Sequence, residues 1–233
     1  MAFRFQQFLV EDEKSTMRTG TDAMLLGAWV KPPSTGIILD IGTGCGVLAL
    51  MMAQHSEATI VAIDPDLPSI MEARNNFEHS QWSDRLTALH TTLQDFSTNA
   101  APLCDFIITN PPYFSNSLKS PFARKNSARH DDGLSLEELV ADVTSLLSED
   151  GRFALILPSE PAKKCHLLCL ESGLHLSQRM SVYPKAEAPS GRTLMEFSRR
   201  KVTQPSHTEL TMLNAAGKFS TAYLNLTSRF HRF

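Results

Sequence analysis

The chain has no apolar run approaching the roughly 20 residues needed to cross a bilayer as a helix, so no membrane-spanning segment is expected. Its opening, Met1-Ala2-Phe3-Arg4-Phe5-Gln6-Gln7, is too polar for a secretory signal and lacks a continuous apolar core. The four cysteines (Cys45, Cys104, Cys165, Cys169) do not have the paired spacing of a zinc site, and Cys45 lies inside a glycine-rich stretch. Reduced thiols in a cytoplasmic protein without a metal site are the simplest reading. Internal repeats, low-complexity tracts and signs of a second domain are also missing.

What is present is ordinary in bulk. The 233 residues, 42 % apolar and 20 % charged, suit one soluble domain spanning 1–233 with a substantial core. The net charge of −3 conceals an asymmetry. From Met1 to Leu118, 6 Lys and Arg stand against 13 Asp and Glu, whereas the remainder has 16 against 12. A basic C-terminal half is compatible with contact to a polyanion, although a solvated surface gives the same count.

Short apolar runs alternate with longer helical patterns. Strands are expected over 37–41, 59–63, 86–90, 105–109 and 152–157, the last opened by Gly151. Helices are expected over 47–54, 67–79, 135–147 and 161–172. In the second of these, Leu67, Ile70, Met71 and Phe77 recur at near-helical spacing. In the third, Ser135 is the N-cap, with Glu137 and Glu138 in the first turn. Two further runs, 174–183 and 193–199, have no helix between them and suggest an antiparallel hairpin at one edge. Alternation of this kind implies an α/β fold with a mostly parallel sheet covered on both faces. The pattern resembles the Rossmann-like, seven-stranded sheet of class I methyltransferases. Two segments stand outside that core, an N-terminal extension over 1–33 and a loop over 114–133 long enough to hint at function.

After the first strand comes Asp40-Ile41-Gly42-Thr43-Gly44-Cys45-Gly46. Gly42, Gly44 and Gly46 allow a tight turn and close approach of a ligand to backbone, and a helix N-terminus follows. A dinucleotide-binding fingerprint wants its third glycine one position later, where this chain has Val47. S-adenosylmethionine has no phosphate but carries an ammonium that Asp40 can reach through water. Asp64, closing the second strand, is placed for both ribose hydroxyls. The adenine contact falls in His90-Thr91-Thr92-Leu93-Gln94-Asp95. Register favours the Thr92 side chain and the Leu93 N–H, with Asp95 as the alternative. The bland alternative is a glycine turn with two strand-end carboxylates capping helices.

Directly after the fourth strand stands Asn110-Pro111-Pro112-Tyr113. An exocyclic aromatic amine is a poor nucleophile because its lone pair is delocalised into the ring. Two acceptors aimed at its hydrogens help it pyramidalise, since they strengthen as positive charge builds on nitrogen. The Asn110 side chain supplies one and the Pro111 carbonyl another, its position stiffened by Pro112. Tyr113 offers a face on which a base stacks. Adenine N6, guanine N2 and the amide of glutamine present similar shapes to such a motif. A Pro-Pro turn ending a strand, with Tyr113 packed, is the structural alternative.

The chain resembles the bacterial tRNA(Val) adenosine N6-methyltransferases, which modify the adenosine just 3′ of the anticodon. The resemblance rests on Phe3 to Val10, on Met17-Arg18-Thr19-Gly20-Thr21-Asp22-Ala23-Met24-Leu25-Leu26-Gly27-Ala28-Trp29, on both motifs above and on the closing Tyr223 to Phe230 pattern. It implies that Gly20, Thr21 and Asp22 lie over the cofactor pocket near its methionine end. From the residues alone they read only as a helix start capped by Thr21 or Asp22. Asp64 replaces a frequent glutamate and Thr92 a frequent aspartate of that family. It also implies a tRNA partner. Lys119, Arg124, Lys125, Arg129 and His130 follow the catalytic motif, and Arg124, Lys125 and Arg129 are the best candidates to neutralise RNA phosphates. Arg199, Arg200 and Lys201, then Arg229 and Arg232, are further basic clusters. Competing readings are glutamine N5 methylation of a protein factor, guanine N2 methylation of rRNA, and an RNA chaperone that binds cofactor without catalysis.

Overall fold

A computed structural model of the chain describes residues 2–15, 19–99, 101–111 and 134–231. Among these, β1 (Ala2–Arg4) and β2 (Leu9–Glu11) pair as a separate antiparallel hairpin. The main sheet is built from β3 (Ile37–Ile41), β4 (Thr59–Asp64), β5 (Leu86–His90), β6 (Cys104–Thr109), β7 (Leu147–Pro158), β8 (His175–Lys185), β9 (Arg192–Ser198) and β10 (Ser206–Leu213). Their spatial order is β10-β8-β9-β7-β6-β3-β4-β5. Only β9 runs against its neighbours; every other pair in the sheet is parallel.

The α/β class and mostly parallel sheet agree with the sequence reading, but an eighth strand is added. β10 pairs in parallel with β8, so the β8–β9 hairpin is flanked rather than terminal. β10 gave little signal because Leu210 is its one buried residue among Ser206-His207-Thr208-Glu209-Leu210-Thr211-Met212-Leu213. β7 begins at Leu147 rather than at Gly151.

Side chains alternate between two cores, as the period of a strand requires. Ile38, Ile60, Phe106 and Ile108 face α1 (Thr21–Trp29), α2 (Val47–Ala53), α3 (Leu67–Glu78) and α7 (Thr221–Thr227). Leu39, Ile107, Phe153 and Leu155 face α4 (Leu93–Thr98), α5 (Leu136–Leu146) and α6 (Ser159–Glu171). α5 starts with a full capping box between Ser135 and Glu138. The N-terminal extension belongs to the first core: Phe5 and Phe8 stack with ring centroids 4.3 Å apart, and Phe5 is buried with Phe230.

α3 departs from its apolar pattern. Leu67 and Met71 are exposed, while Glu72 and Asn76 are buried with Ile70, Ala73 and Phe77. The two polar residues point inward because they hold the N-terminal strap. Glu72 Oε1 accepts from the Glu13 and Lys14 N–H groups at 2.9 and 3.0 Å, and Oε2 from Ser15 N–H at 2.9 Å. Asn76 exchanges two hydrogen bonds with the Glu11 backbone and donates to the Cys45 carbonyl at 2.8 Å. One helix therefore ties the strap to the glycine turn.

Candidate active site

The parallel strands β3 and β6 are adjacent, with Ile41 paired to Thr109, and Thr109 Oγ1 donates to the Ile41 carbonyl at 2.8 Å. The glycine turn leaving β3 and Asn110 leaving β6 consequently meet at the carboxyl rim of the sheet, where open α/β sheets bind ligands. Both line one cleft, together with Thr19 and Ala23 from the other side.

Gly42, Gly44 and Gly46 all have positive φ, at 67°, 56° and 85°. A Cβ on Gly42 meets no atom within 4 Å, so this backbone faces open space. A Cβ on Gly46 collides with the Phe77 ring of α3, so here glycine permits close helix packing instead. The turn is stitched to β4 by Gly42 and Thr43 N–H donating to the Ile63 carbonyl at 2.9 and 3.0 Å.

Asp40 lies beneath the turn and is fully buried. Its Oδ2 accepts from Thr43 Oγ1 at 2.6 Å and Ala49 N–H at 3.2 Å, while Oδ1 has no partner. Burial pushes its carboxyl up to about 7, against the pull of those two hydrogen bonds. Asp64 is engaged as well: Oδ2 accepts from Gly44 N–H at 2.9 Å and Oδ1 from Asp66 N–H at 2.8 Å. Burial raises its carboxyl too. A buried acceptor without a donor is costly unless a cation or water meets it. That orphan, beside a left-handed glycine with free space, fits a ligand carrying an ammonium and a nucleoside.

The other expected site residues are distributed unevenly. Gly20 and Thr21 are exposed beside Thr19 at the start of α1. Gly20 is the N-cap, without a side-chain cap, so neither Thr21 nor Asp22 serves that role. Asp22 instead pairs with Arg192 of β9 at 2.7 Å. Thr92 is the N-cap of α4, and its hydroxyl accepts from Asp95 N–H and donates to the Asp95 carboxylate at 2.8 Å. Leu93 is the first residue of α4, where an N–H has no partner within the helix. Pro111 is buried; Pro112, Tyr113, Lys119, Arg124, Lys125, Arg129, His130 and Arg232 lie outside the described residues.

Arg199 and Arg200 follow β9 at the rim away from Asn110, where Arg199 donates to the Leu147 carbonyl and Arg200 pairs with Asp150. They serve the end of α5 and the start of β7. Sequence reasoning overlooked Thr19 and Ala23 as cleft walls, and Glu72 and Asn76 as anchors. The Thr19-to-Cys45 contact, Oγ1 to Sγ at 3.5 Å, joins positions with no shared local pattern. Among the described residues no group of three His, Cys, Asp or Glu could hold a metal ion, and no helix is long and apolar enough to cross a membrane.

The methyltransferase small domain family matches residues 15–167. A tRNA1(Val) (adenine(37)-N6)-methyltransferase of Bacteroides fragilis is 38 % identical over 98 % of this chain and 97 % of its own length. One from Trichodesmium erythraeum is 36 % identical over 98 % and 97 %. Among solved structures, a "predicted O-methyltransferase" from Agrobacterium tumefaciens superposes with a TM-score of 0.68 at 20 % identity, covering 89 % of this chain and 96 % of that one. The last likeness concerns the fold alone. The first two run through the strap, both rim motifs and the closing helix, and they make the chain a member of the tRNA1(Val) (adenine(37)-N6)-methyltransferase family.

Proposed function

We propose that the chain methylates N6 of the adenosine at position 37 of tRNA1(Val), using S-adenosylmethionine, with 1–233 acting as one methyltransferase domain. The observation that carries this is the meeting of Asn110 with the Gly42–Gly46 turn in a single cleft. When bound, S-adenosylmethionine supplies an electrophilic methyl group on a sulfonium. The chain's own residues orient and activate the acceptor. Asn110 Oδ1 and the Pro111 carbonyl accept from the amine hydrogens, which favours a pyramidal nitrogen as charge develops. Tyr113 stacks the base, and Pro112 stiffens the turn that aims both acceptors.

No strong general base is required, because the amine proton leaves after the new bond forms. Asp40 answers the cofactor's ammonium, and Asp64 its ribose hydroxyls through the lone pairs that Gly44 and Asp66 leave over. Gly42 and Gly44 admit the ligand to backbone; Gly46 holds the turn against α3. Gly20 and Thr21 close over the methionine end beside Thr19. The Leu93 N–H is the better adenine donor, since the Thr92 hydroxyl is committed to Asp95. Arg124, Lys125 and Arg129, which follow Asn110 in the chain, neutralise RNA phosphates. The names of the relatives support tRNA over the protein-factor and rRNA readings.

The test is incubation of the purified chain with methyl-labelled S-adenosylmethionine and unmodified tRNA, followed by nucleoside analysis. Label is expected in N6-methyladenosine at position 37. Asn110→Ala should lower kcat by about 10²–10³-fold, the usual cost of losing one transition-state hydrogen bond. Label in N2-methylguanosine or in a protein glutamine would overturn the reading.

A further inference from the structure

A second cleft opens on the same rim of the sheet, between α6 and the β8–β9 pair. Ser159, Lys163 and His166 of α6 form one wall; Arg179 and Ser181 of β8, with Ser190, form the other. Register fixes its position. Thr193, another wall residue, pairs with Leu157 at the carboxyl end of β7, and β7 lies beside β6, which ends at Asn110. β6, β7, β9 and β8 are successive neighbours, so the cleft is displaced sideways from Asn110 by three strand spacings, on the order of 14 Å.

Its chemistry is that of an anion site. No carboxylate lines it, and among the described residues none pairs with Arg179. Among the described residues the Arg179 side chain hydrogen-bonds to His207 of β10 alone, Nη2 to Nδ1 at 3.4 Å, and Ser181 Oγ meets His207 Nε2 at 3.1 Å. Lys163 is bound to Glu160 at 2.6 Å on the exposed side of α6, so Arg179 is the main uncompensated charge. Burial and the neighbouring guanidinium push His166 below its ordinary value, leaving a neutral ring that can still donate one N–H. The first turn of α6 forms part of the wall, and its N-cap, Pro158, provides no side-chain hydrogen bond. The Ser159 and Ser190 hydroxyls, 3.0 Å apart, add polar groups to walls that also include the buried Ala162 and Met195.

We propose that the α6–β8–β9 cleft holds a backbone phosphate of the substrate RNA, with Arg179 as its principal ligand, a few nucleotides from the methylated adenosine. The inference rests on the reading of the chain as a tRNA methyltransferase. It assigns the cleft to holding substrate and gives it no part in methyl transfer. The added strand β10 makes sense on this view, because it supports β8 and places His207 to hold Arg179 at the rim.

The experiment compares wild type, Arg179→Ala and Arg179→Lys. Each is checked for an unchanged melting temperature and unchanged S-adenosylhomocysteine affinity, then titrated with unmodified tRNA at several salt concentrations. For Arg179→Ala the expected result is about fivefold weaker tRNA binding and a log–log salt slope shallower by about one unit. KM for tRNA should rise in proportion while kcat at saturating tRNA is preserved, and Arg179→Lys should recover much of the affinity. If wild type methylates tRNA and Arg179→Ala binds it with unchanged affinity and slope, the cleft assignment is overturned and the functional reading stands. If wild type leaves tRNA unlabelled, the functional reading fails by that result and takes the assignment with it. Inorganic phosphate is the control ligand: if it shifts the His166 resonances only when Arg179 is present, yet tRNA affinity does not depend on Arg179, the cleft takes a free anion and the RNA assignment is again overturned.

Discussion

Beneath the glycine turn of the β3–β6 cleft lie two buried carboxyl groups, Asp40 and Asp64, that accept from backbone amides; the β8–β9 cleft is lined instead by an exposed guanidinium and a lysine among hydroxyls. The first is tied down from every side: α3 holds the strap through Glu72 and Asn76, and the turn is stitched to β4. The second is walled by α6 and β8; its charged groups Arg179 and Lys163 are exposed, while its Ser159 and Ser190 hydroxyls bond each other and nearby backbone carbonyls. Opposite signs on one rim suit a cationic cofactor and a polyanionic substrate that approach the same edge separately. The difference in burial predicts a difference in tolerance. Substitution in the first cleft should cost folding as well as binding, whereas substitution in the second should cost binding alone.

Gly46→Ala offers the largest test. It puts a Cβ at φ 85° and against the Phe77 ring, so left-handed strain and overpacking combine. A loss of about 2–5 kcal/mol in stability is expected by chemical denaturation. Ser190→Ala in the other cleft should stay within about 1 kcal/mol, the net worth of a typical hydrogen bond. Comparable losses at the two positions would remove the contrast.

Glu72→Gln is smaller and more specific. The amide keeps one acceptor but turns an NH2 group toward backbone N–H donors of residues 13–15. Destabilisation of about 1–3 kcal/mol is expected, with faster hydrogen exchange at those amides and weaker S-adenosylhomocysteine binding. Exchange at 13–15 that matched wild type would show that Glu72 does not anchor the strap.

These two residues also mark how far the sequence is legible. The glycine turn and Asn110 are local signals: the residue types, their spacing and the preceding apolar strand all lie within one short window. Strands β3 and β6 and the second half of β7 read clearly for the same reason, being continuous apolar runs buried on both faces. Glu72 and Asn76 were invisible because their partners are strap residues far away in the chain, and hydropathy scores a buried carboxylate as surface. Leu67 and Met71 misled in the opposite sense, apolar by type yet exposed. The second cleft could not be read at all. Its walls come from α6, β8 and β9, and their juxtaposition depends on the sheet order and on β10, which is largely polar.

The subtlest effect concerns Asp40 and pH. Its carboxyl is raised to about 7 by burial, so in the free protein it is largely protonated below neutrality. An ammonium beside it stabilises the ionised form, and binding below pH 7 must therefore release a proton. S-adenosylhomocysteine affinity should rise by up to about tenfold per pH unit as pH approaches 7 from below, then level. Asp40→Asn should flatten that rise and bind more weakly at pH 7. Stability of the free protein must move the other way. Between the ordinary carboxylate value of 3.8 and about 7 the folded state holds more protons than the unfolded one, so stability falls as pH rises through that window. Isothermal titration and denaturation across pH 5 to 8 would register both trends on one sample. Opposite slopes, each lost in Asp40→Asn, would identify this buried carboxylate as the group that gives the first cleft its sign; parallel slopes would assign the ammonium to another partner.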